Sequence, residues 1–419
     1  MNVVSRNLTS LPDLPKHLET LLCYNNQLTS LPDLPDSLTN LDCRDNQLKT
    51  LKDLPDMLTR LHCGNNQLKT LPDLPKHLNE LYCFNNQLKT LPNLPDSLTN
   101  LDCRDNKLKT LPPNLPDSLT YFDCGNNQIK ILPNLPNTLA GLYCYDNQLN
   151  TLPILPEELE ELNCANNKIK ELPNLPNTLA GLYCNNNKLN TLPNLPEELE
   201  ELNCANNQII ELPNLPEILR ELNCANNQIK KLPNLPKFLI KLNCANNQIK
   251  ELPNLTNELV PNLIKITVSF DQVHLMENII NNNNIKVHVV DSNNSLMDDI
   301  VKYNKQWKTI IKKHPNKVIF ESENTKQRLK DYTNARLSVL PPNTENPLTG
   351  KVHRVKKSSG KKSSGKKSSD KNPAVDTVAA NLDRNILEYL GGSGRKMKSR
   401  KIRKNNTSKK QNNKTLRSK

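Results

Sequence analysis

Aromatic side chains make up only 4% of this 419-residue sequence, and apolar residues only 35%. A core so poor in Phe, Tyr and Trp has to be built mostly from Leu and Ile. No run of 18 apolar residues occurs, so no membrane-spanning helix is expected. No apolar secretory segment follows Met1, and the chain far exceeds the size of small disulfide-stapled domains. The 12 cysteines are therefore not read as an oxidised framework. None stands in a C-x-x-C pair or beside a histidine at ligand spacing, which removes the usual zinc and redox motifs. No Ser-His-Asp set or paired-carboxylate constellation rises above the background, so no catalytic residue, metal site or cofactor is expected.

What the chain does have is a period. Cys23, Cys43, Cys63, Cys83 and Cys103 recur every 20 residues; Cys124 follows after 21 because Pro113 is inserted, and Cys144, Cys164, Cys184, Cys204, Cys224 and Cys244 resume the step. A fixed period of this size marks an array in which each unit buries its apolar side only against its neighbours. The frame reads Leu18-x-x-Leu21-x-Cys23-x-x-Asn26-x-Leu28-x-x-Leu31-Pro32-x-Leu34-Pro35, with departures such as Phe122, Lys52 and Thr256.

Alternation across Leu21, Leu22, Cys23 and Tyr24 puts residues 21 and 23 on one side of a strand and 22 and 24 on the other. Twelve such strands about 4.8 Å apart make a sheet of roughly 58 Å. Cysteine at the inward position acts as a small buried hydrophobe, and so many unpaired thiols suit an intracellular reducing compartment. Asn26 and its equivalents through Asn127 to Asn247 are expected to satisfy backbone groups of their own and the next turn. Each Leu-Pro-x-Leu-Pro segment has too many prolines for a helix and is expected to be extended or polyproline-like.

This frame resembles the leucine-rich repeat, and its Pro-x-Leu-Pro ending is similar to the short 20-residue repeats of bacterial effectors of the Yersinia outer protein M class. Cysteine-bearing arrays of large DNA viruses of amoebae are also similar. The resemblance covers roughly residues 3–256. It implies a leucine-rich repeat solenoid, or horseshoe, with a parallel β-sheet on the concave face and extended convex segments.

In each repeat, positions equivalent to 20, 22, 24 and 25 are expected to face the concavity. Random placement would put about one of the nine tyrosines there, yet Tyr24, Tyr82, Tyr121, Tyr143, Tyr145 and Tyr183 all fall on them, joined by Phe84. Rigid aromatics of this kind anchor protein interfaces. Asp42, Arg44, His62, Asp102, Arg104 and Asp123 stand among them and can supply directional polar contacts. Strand propensity and duplication are the competing explanation, since Leu34–Asn46 and Leu94–Asn106 are identical. The later Asn-Cys-Ala-Asn-Asn repeats read as scaffold, which places a site toward the N-terminal two thirds.

Beyond the array (1–255), Leu263, Ile266, Val268 and Asp271 keep the spacing of a diverged thirteenth repeat. Ile285 to Asp291 can add a strand, and Leu296, Ile300, Tyr303, Trp307 and Ile310 share one helical face, so 256–340 reads as a small α/β cap. From 341 to 419 a disordered Lys/Arg-rich tail is expected, with a short helix over 374–390. Residues 351–419 carry a net charge of +18 out of a total of +13, so the body before them is acidic at −5. Arg395, Lys396, Lys398, Arg400, Lys401, Arg403 and Lys404 resemble a nuclear import signal and would attract any polyanion, including nucleic acid, without sequence preference.

The expected function is a non-enzymatic protein–protein interaction scaffold with a targeting or tethering tail, in the cytoplasm or nucleus. Nucleic-acid packaging by the tail is the alternative. A ubiquitin-ligase effector, a class the resemblance suggests, is disfavoured because no Cys follows Cys244. The partner and the oligomeric state are left open.

Overall fold

The computed structural model describes residues 1–275, 285–290 and 318–321, together with Ile279, Ile310, Lys313 and His314. Among these residues one parallel sheet of 15 strands runs in chain order. The repeats supply β1 Thr20–Leu22, β2 Asn40–Asp42, β3 Arg60–His62, β4 Glu80–Tyr82, β5 Asn100–Asp102 and β6 Tyr121–Asp123. Next come β7 Gly141–Tyr143, β8 Glu161–Asn163, β9 Gly181–Tyr183, β10 Glu201–Asn203, β11 Glu221–Asn223 and β12 Lys241–Asn243. β13 Lys265–Ser269, β14 Lys286–Val290 and β15 Val318–Phe320 extend the sheet, and β15 answers to no sequence expectation. At the other end, Asn2 bridges to Leu22.

Equivalent repeat positions pair with one another, as in Leu21 with Leu41 and Leu81 with Leu101. Leu101 still pairs with Phe122 across the insertion, so Pro113 is absorbed outside the sheet, beside a hollow of about 530 Å³. Between β1 and β12 the chain forms no helix; a short 3-10 helix, Phe270–Leu275, follows β13. Each Pro-x-Leu-Pro segment instead ends in a tight turn, such as the one closed by the Leu38 amide donating to the Pro35 carbonyl at 3.0 Å.

Two asparagine ladders stop the strands. The first uses the residue after position 24, which must turn sharply with positive φ: Asn25 (55°), Asp45 (55°), Asn126 (48°) and their equivalents. Asn and Asp tolerate this region best among residues with a side chain. Their side chains also link along the stack, with Asn85 Nδ2 donating to Asn65 Oδ1 at 2.7 Å and Asn126 Nδ2 to Asp105 Oδ1 at 2.6 Å.

The second ladder is the expected one, with a correction to its direction. Asn127 Nδ2 donates to the carbonyls of Cys124 and Gly125 in its own turn and of Cys103 in the preceding one, each at 3.1 Å. Its Oδ1 accepts from the Leu108 amide at 2.9 Å. The amide therefore reaches back one repeat, not forward, because the carbonyl of each inward cysteine points along the stack toward the next asparagine. In the thirteenth repeat the same carbonyl of Cys244 is met by Gln272 Nε2 at 3.3 Å. Asp271, expected at this position from spacing, accepts from Ser269 Oγ at 2.5 Å instead.

The core runs the length of the array as rows of Leu and Cys with essentially no exposure. All 12 cysteines are buried and unpaired. Burial pushes the Cys164, Cys204 and Cys244 thiols up to about 12, so they stay protonated and unreactive. A thiol reagent is accordingly expected to label almost nothing in the native protein and close to 12 groups after denaturation. Fast labelling of several sites in the native state would contradict this packing. The segment 296–309, with Trp307, and the tail lie outside the described residues; Ile310 is buried.

Candidate protein-interaction face

Because residues 21 and 23 of each repeat point into the core, residues 20, 22 and 24 stand on the opposite, solvent side of the sheet. All the tyrosines named above, with Phe84, are partly exposed there. All but Tyr183, which stands apart on β9, fall into two groups that the strands hold together.

The first spans β1 to β4. The Arg44 guanidinium lies 4.7 Å from the centre of the Tyr24 ring and pairs with Asp42 at 3.3 Å. His62 stands 4.0 Å from Asp42 on one side and 3.8 Å from Glu80 on the other, and its ring meets Tyr82 edge-on at 4.3 Å. Burial holds His62 below its usual pKa despite both carboxylates, and its Nε2 has no hydrogen-bond partner. Arg60 closes the group by pairing with Glu80 at 3.1 Å.

In the second group, on β5 to β7, Arg104 lies 4.9 Å from the Phe84 ring centre and pairs with both Asp102 (3.3 Å) and Asp123 (3.2 Å). Tyr121 and Tyr143 have ring centres 5.3 Å apart. Two rings lie flat on the neighbouring backbone, and glycine is what allows it. A Cβ on Gly64 would come within 2.7 Å of the Phe84 ring, and one on Gly125 within 2.4 Å of Tyr145. Burial, and after it Asp123, raises the Tyr121 and Tyr145 phenols to about 12, so both remain hydrogen-bond donors at neutral pH.

The aspartates are less free than their sequence positions suggest. Asp42, Asp102 and Asp123 are all buried, and one oxygen of each accepts the amide two residues on: Arg44 at 3.4 Å, Arg104 at 3.2 Å, Gly125 at 2.9 Å. Asn163, Asn203, Asn223 and Asn243 cap their turns in the same way. Burial, followed by the charge of Asp123, raises Asp102 to about 6.

An acid whose folded pKa lies above its unfolded one near 4 adds stability below pH 4 and loses it as the pH rises to 6. Asp102→Asn keeps the turn cap and removes that loss. The variant is expected to melt higher than the parent at pH 7, the gain vanishing below pH 4. A lower melting temperature at pH 7 would show that the pairing with Arg104 outweighs desolvation.

Sequence reading passed over Arg60, Glu80, Glu161 and Glu201, all at strand position 20, where the frame itself was the available signal. The later repeats are charged at that position too. Glu221 pairs with Lys241 at 2.5 Å, and these two join Glu201 and Lys265 around a hollow of about 250 Å³. The tail cluster Arg395 to Lys404 lies outside the described residues.

With this architecture on view, the chain belongs to the leucine-rich repeat family. A two-copy leucine-rich repeat model matches residues 197–237. The solved structure of YopM from Yersinia enterocolitica WA-314 is 33% identical, covers 67% of this chain and 72% of its own, and superposes with a TM-score of 0.51. YopM from Yersinia pestis, described as a leucine-rich effector protein, is 35% identical, covering 63% of this chain and 86% of its own, with a TM-score of 0.51. Comparison with curated proteins gives no match.

Proposed function

We propose that this protein is a non-enzymatic scaffold that grips a protein partner on the concave face of its repeat array, chiefly through β1 to β9. Proteins of this family typically serve as interaction scaffolds. The observation that carries the reading is the row of seven partly exposed aromatic rings on one side of the sheet, several fixed by Arg–carboxylate pairs or seated on glycine. Pre-ordered aromatics bind with little loss of entropy, which is what an interface anchor requires. The anchors are Tyr24, Tyr82, Phe84, Tyr121, Tyr143, Tyr145 and Tyr183. Asp42, Arg44, His62, Asp102, Arg104 and Asp123 fix the register of the partner. Twelve unpaired thiols support a reducing compartment as the working environment.

A second reading rests on composition. Residues 395–419 hold 12 Lys plus Arg and no acid, a density that favours tethering to polyanions. Affinity capture with the full chain and with a chain ending at residue 350 tests both. Partners of the sheet are expected to be retained by the shorter chain, whereas binding to duplex DNA is expected to be lost from it. In the full chain that DNA binding should weaken by a slope of about −0.9 per neutralised phosphate as salt rises. Loss of every protein partner with the tail would overturn the scaffold reading.

A further inference from the structure

Repeats 7 and 9 carry Ala-Gly-Leu-Tyr at residues 140–143 and 180–183, while repeats 8 and 10 carry Glu-Glu-Leu-Asn at 160–163 and 200–203. On the outer side of the sheet this alternation builds the same subsite twice. Gly141 and Gly181 leave the floor open, and the Tyr143 and Tyr183 rings lean over them. The two hydroxyls donate to Glu161 and Glu201, so each ring holds a carboxylate in place. With Tyr121, Glu160 and Glu200 they line a groove of about 540 Å³. The subsites are two strands apart, which is about 10 Å.

The molecule itself indicates what such a pairing takes. Arg44 stacks on Tyr24 while pairing with Asp42, and Arg104 stacks on Phe84 while pairing with Asp102. An aromatic face beside a carboxylate is thus twice filled by a cation from the chain. In the groove the face and the carboxylate recur, yet no Lys or Arg lines it among the described residues. Of its four glutamates, Glu200 alone has an ion pair among those residues, with Arg220 at 3.1 Å. Residues 115–201 hold 12 Asp plus Glu against four Lys, so the surrounding field also favours a cation.

We propose that this groove binds the chain's own basic segment 395–404, intramolecularly. Arg395, Lys398, Lys401 and Lys404 recur every third residue. Three residues of polyproline chain, which puts every third side chain on one face, span about 9 Å, close to the distance between the two subsites. Two neighbouring cations can then stack on Tyr143 and Tyr183 and pair with Glu161 and Glu201. The 73 residues between 321 and 395 span far more than the roughly 30 Å from β15 to β9. Occupation of the groove holds the basic segment away from polyanions until a competitor displaces it. This goes beyond the scaffold reading and does not depend on it.

The test is zero-length carbodiimide coupling of the full chain, with mass-spectrometric mapping of the linked residues. Links are expected from Glu160, Glu161, Glu200 and Glu201 to Lys396, Lys398, Lys401 or Lys404, fading as salt is raised. In the Glu161→Gln, Glu201→Gln double variant the links at Glu160 and Glu200 should largely disappear. They should persist in a charge-matched control, Glu157→Gln with Glu197→Gln, whose exposed carboxylates lie outside the groove. A mixture of ¹⁵N-labelled and unlabelled chains should give links within one isotope only. Links spread evenly over Glu157, Glu158, Glu197 and Glu198, links unaffected by the groove variant, or heavy–light links would each overturn the proposal.

Discussion

Replacing Asn127 by alanine is expected to destabilise the array by about 3 kcal/mol, read from the denaturant midpoint of the full chain. The side chain makes four hydrogen bonds in a buried position, three to carbonyls and one from the Leu108 amide. Truncation leaves the Leu108 amide without a partner, at roughly 1–3 kcal/mol, and takes one of two donors from each carbonyl, since Asn106 Nδ2, Asn147 Nδ2 and the Asp105 amide still reach the Cys103, Cys124 and Gly125 oxygens. No local rearrangement can supply an acceptor for that amide, because the Oδ1 atoms of the flanking Asn106 and Asn147 already accept from the Leu88 and Ile129 amides. Asn134 is exposed on the proline-rich side, and its replacement by alanine should change stability by no more than about 0.5 kcal/mol. In a stacked array the loss at Asn127 uncouples repeats 5 and 6, so the unfolding transition should also broaden or split. Equal effects at both positions would remove the ladder from the account of stability.

A second large effect is expected in binding. The combined substitution of Tyr82, Phe84 and Tyr143 by alanine should weaken a captured partner by at least about 2 kcal/mol, the scale of interface anchors. Folding should suffer much less. Phe84 gives up its contact with Arg104, worth about 0.5–1 kcal/mol at an exposed site. Tyr82 gives up an edge contact with His62, and Tyr143 a hydrogen bond to Glu161, all on the solvent side of the sheet. Measuring affinity and melting temperature on the same variant separates the two roles. Unchanged affinity would return the aromatics to strand propensity and duplication.

Period, strand placement and the inward cysteines were legible in the residues because every repeat imposes the same demand on the same position: Leu21, Cys23 and Asn26 each recur wherever a neighbour must be packed or bonded. The direction of the asparagine bonds was not, since spacing cannot say whether an amide reaches the carbonyl before or after it. Gln272 was missed for a related reason. Its longer side chain reaches the Cys244 carbonyl from one residue further on, which a fixed spacing does not register.

On the outer side the aromatic row was visible, but its supports were not. Gly64 and Gly125 matter only because a ring from the next repeat lies over them, 20 residues away. Glu161 and Glu201 likewise gain their meaning from Tyr143 and Tyr183 on the preceding strand. Such relations belong to the stack, not to any one repeat.

Hydroxyl-radical footprinting of the full chain, with and without a captured partner, bears most directly on the interaction face. Tyr24, Tyr82 and Phe84 are expected to lose reactivity in the complex, while Met57, Ile131 and Ile154, exposed away from the strands, keep theirs. Protection of Met57, Ile131 and Ile154 with unchanged rings would contradict binding on the sheet face.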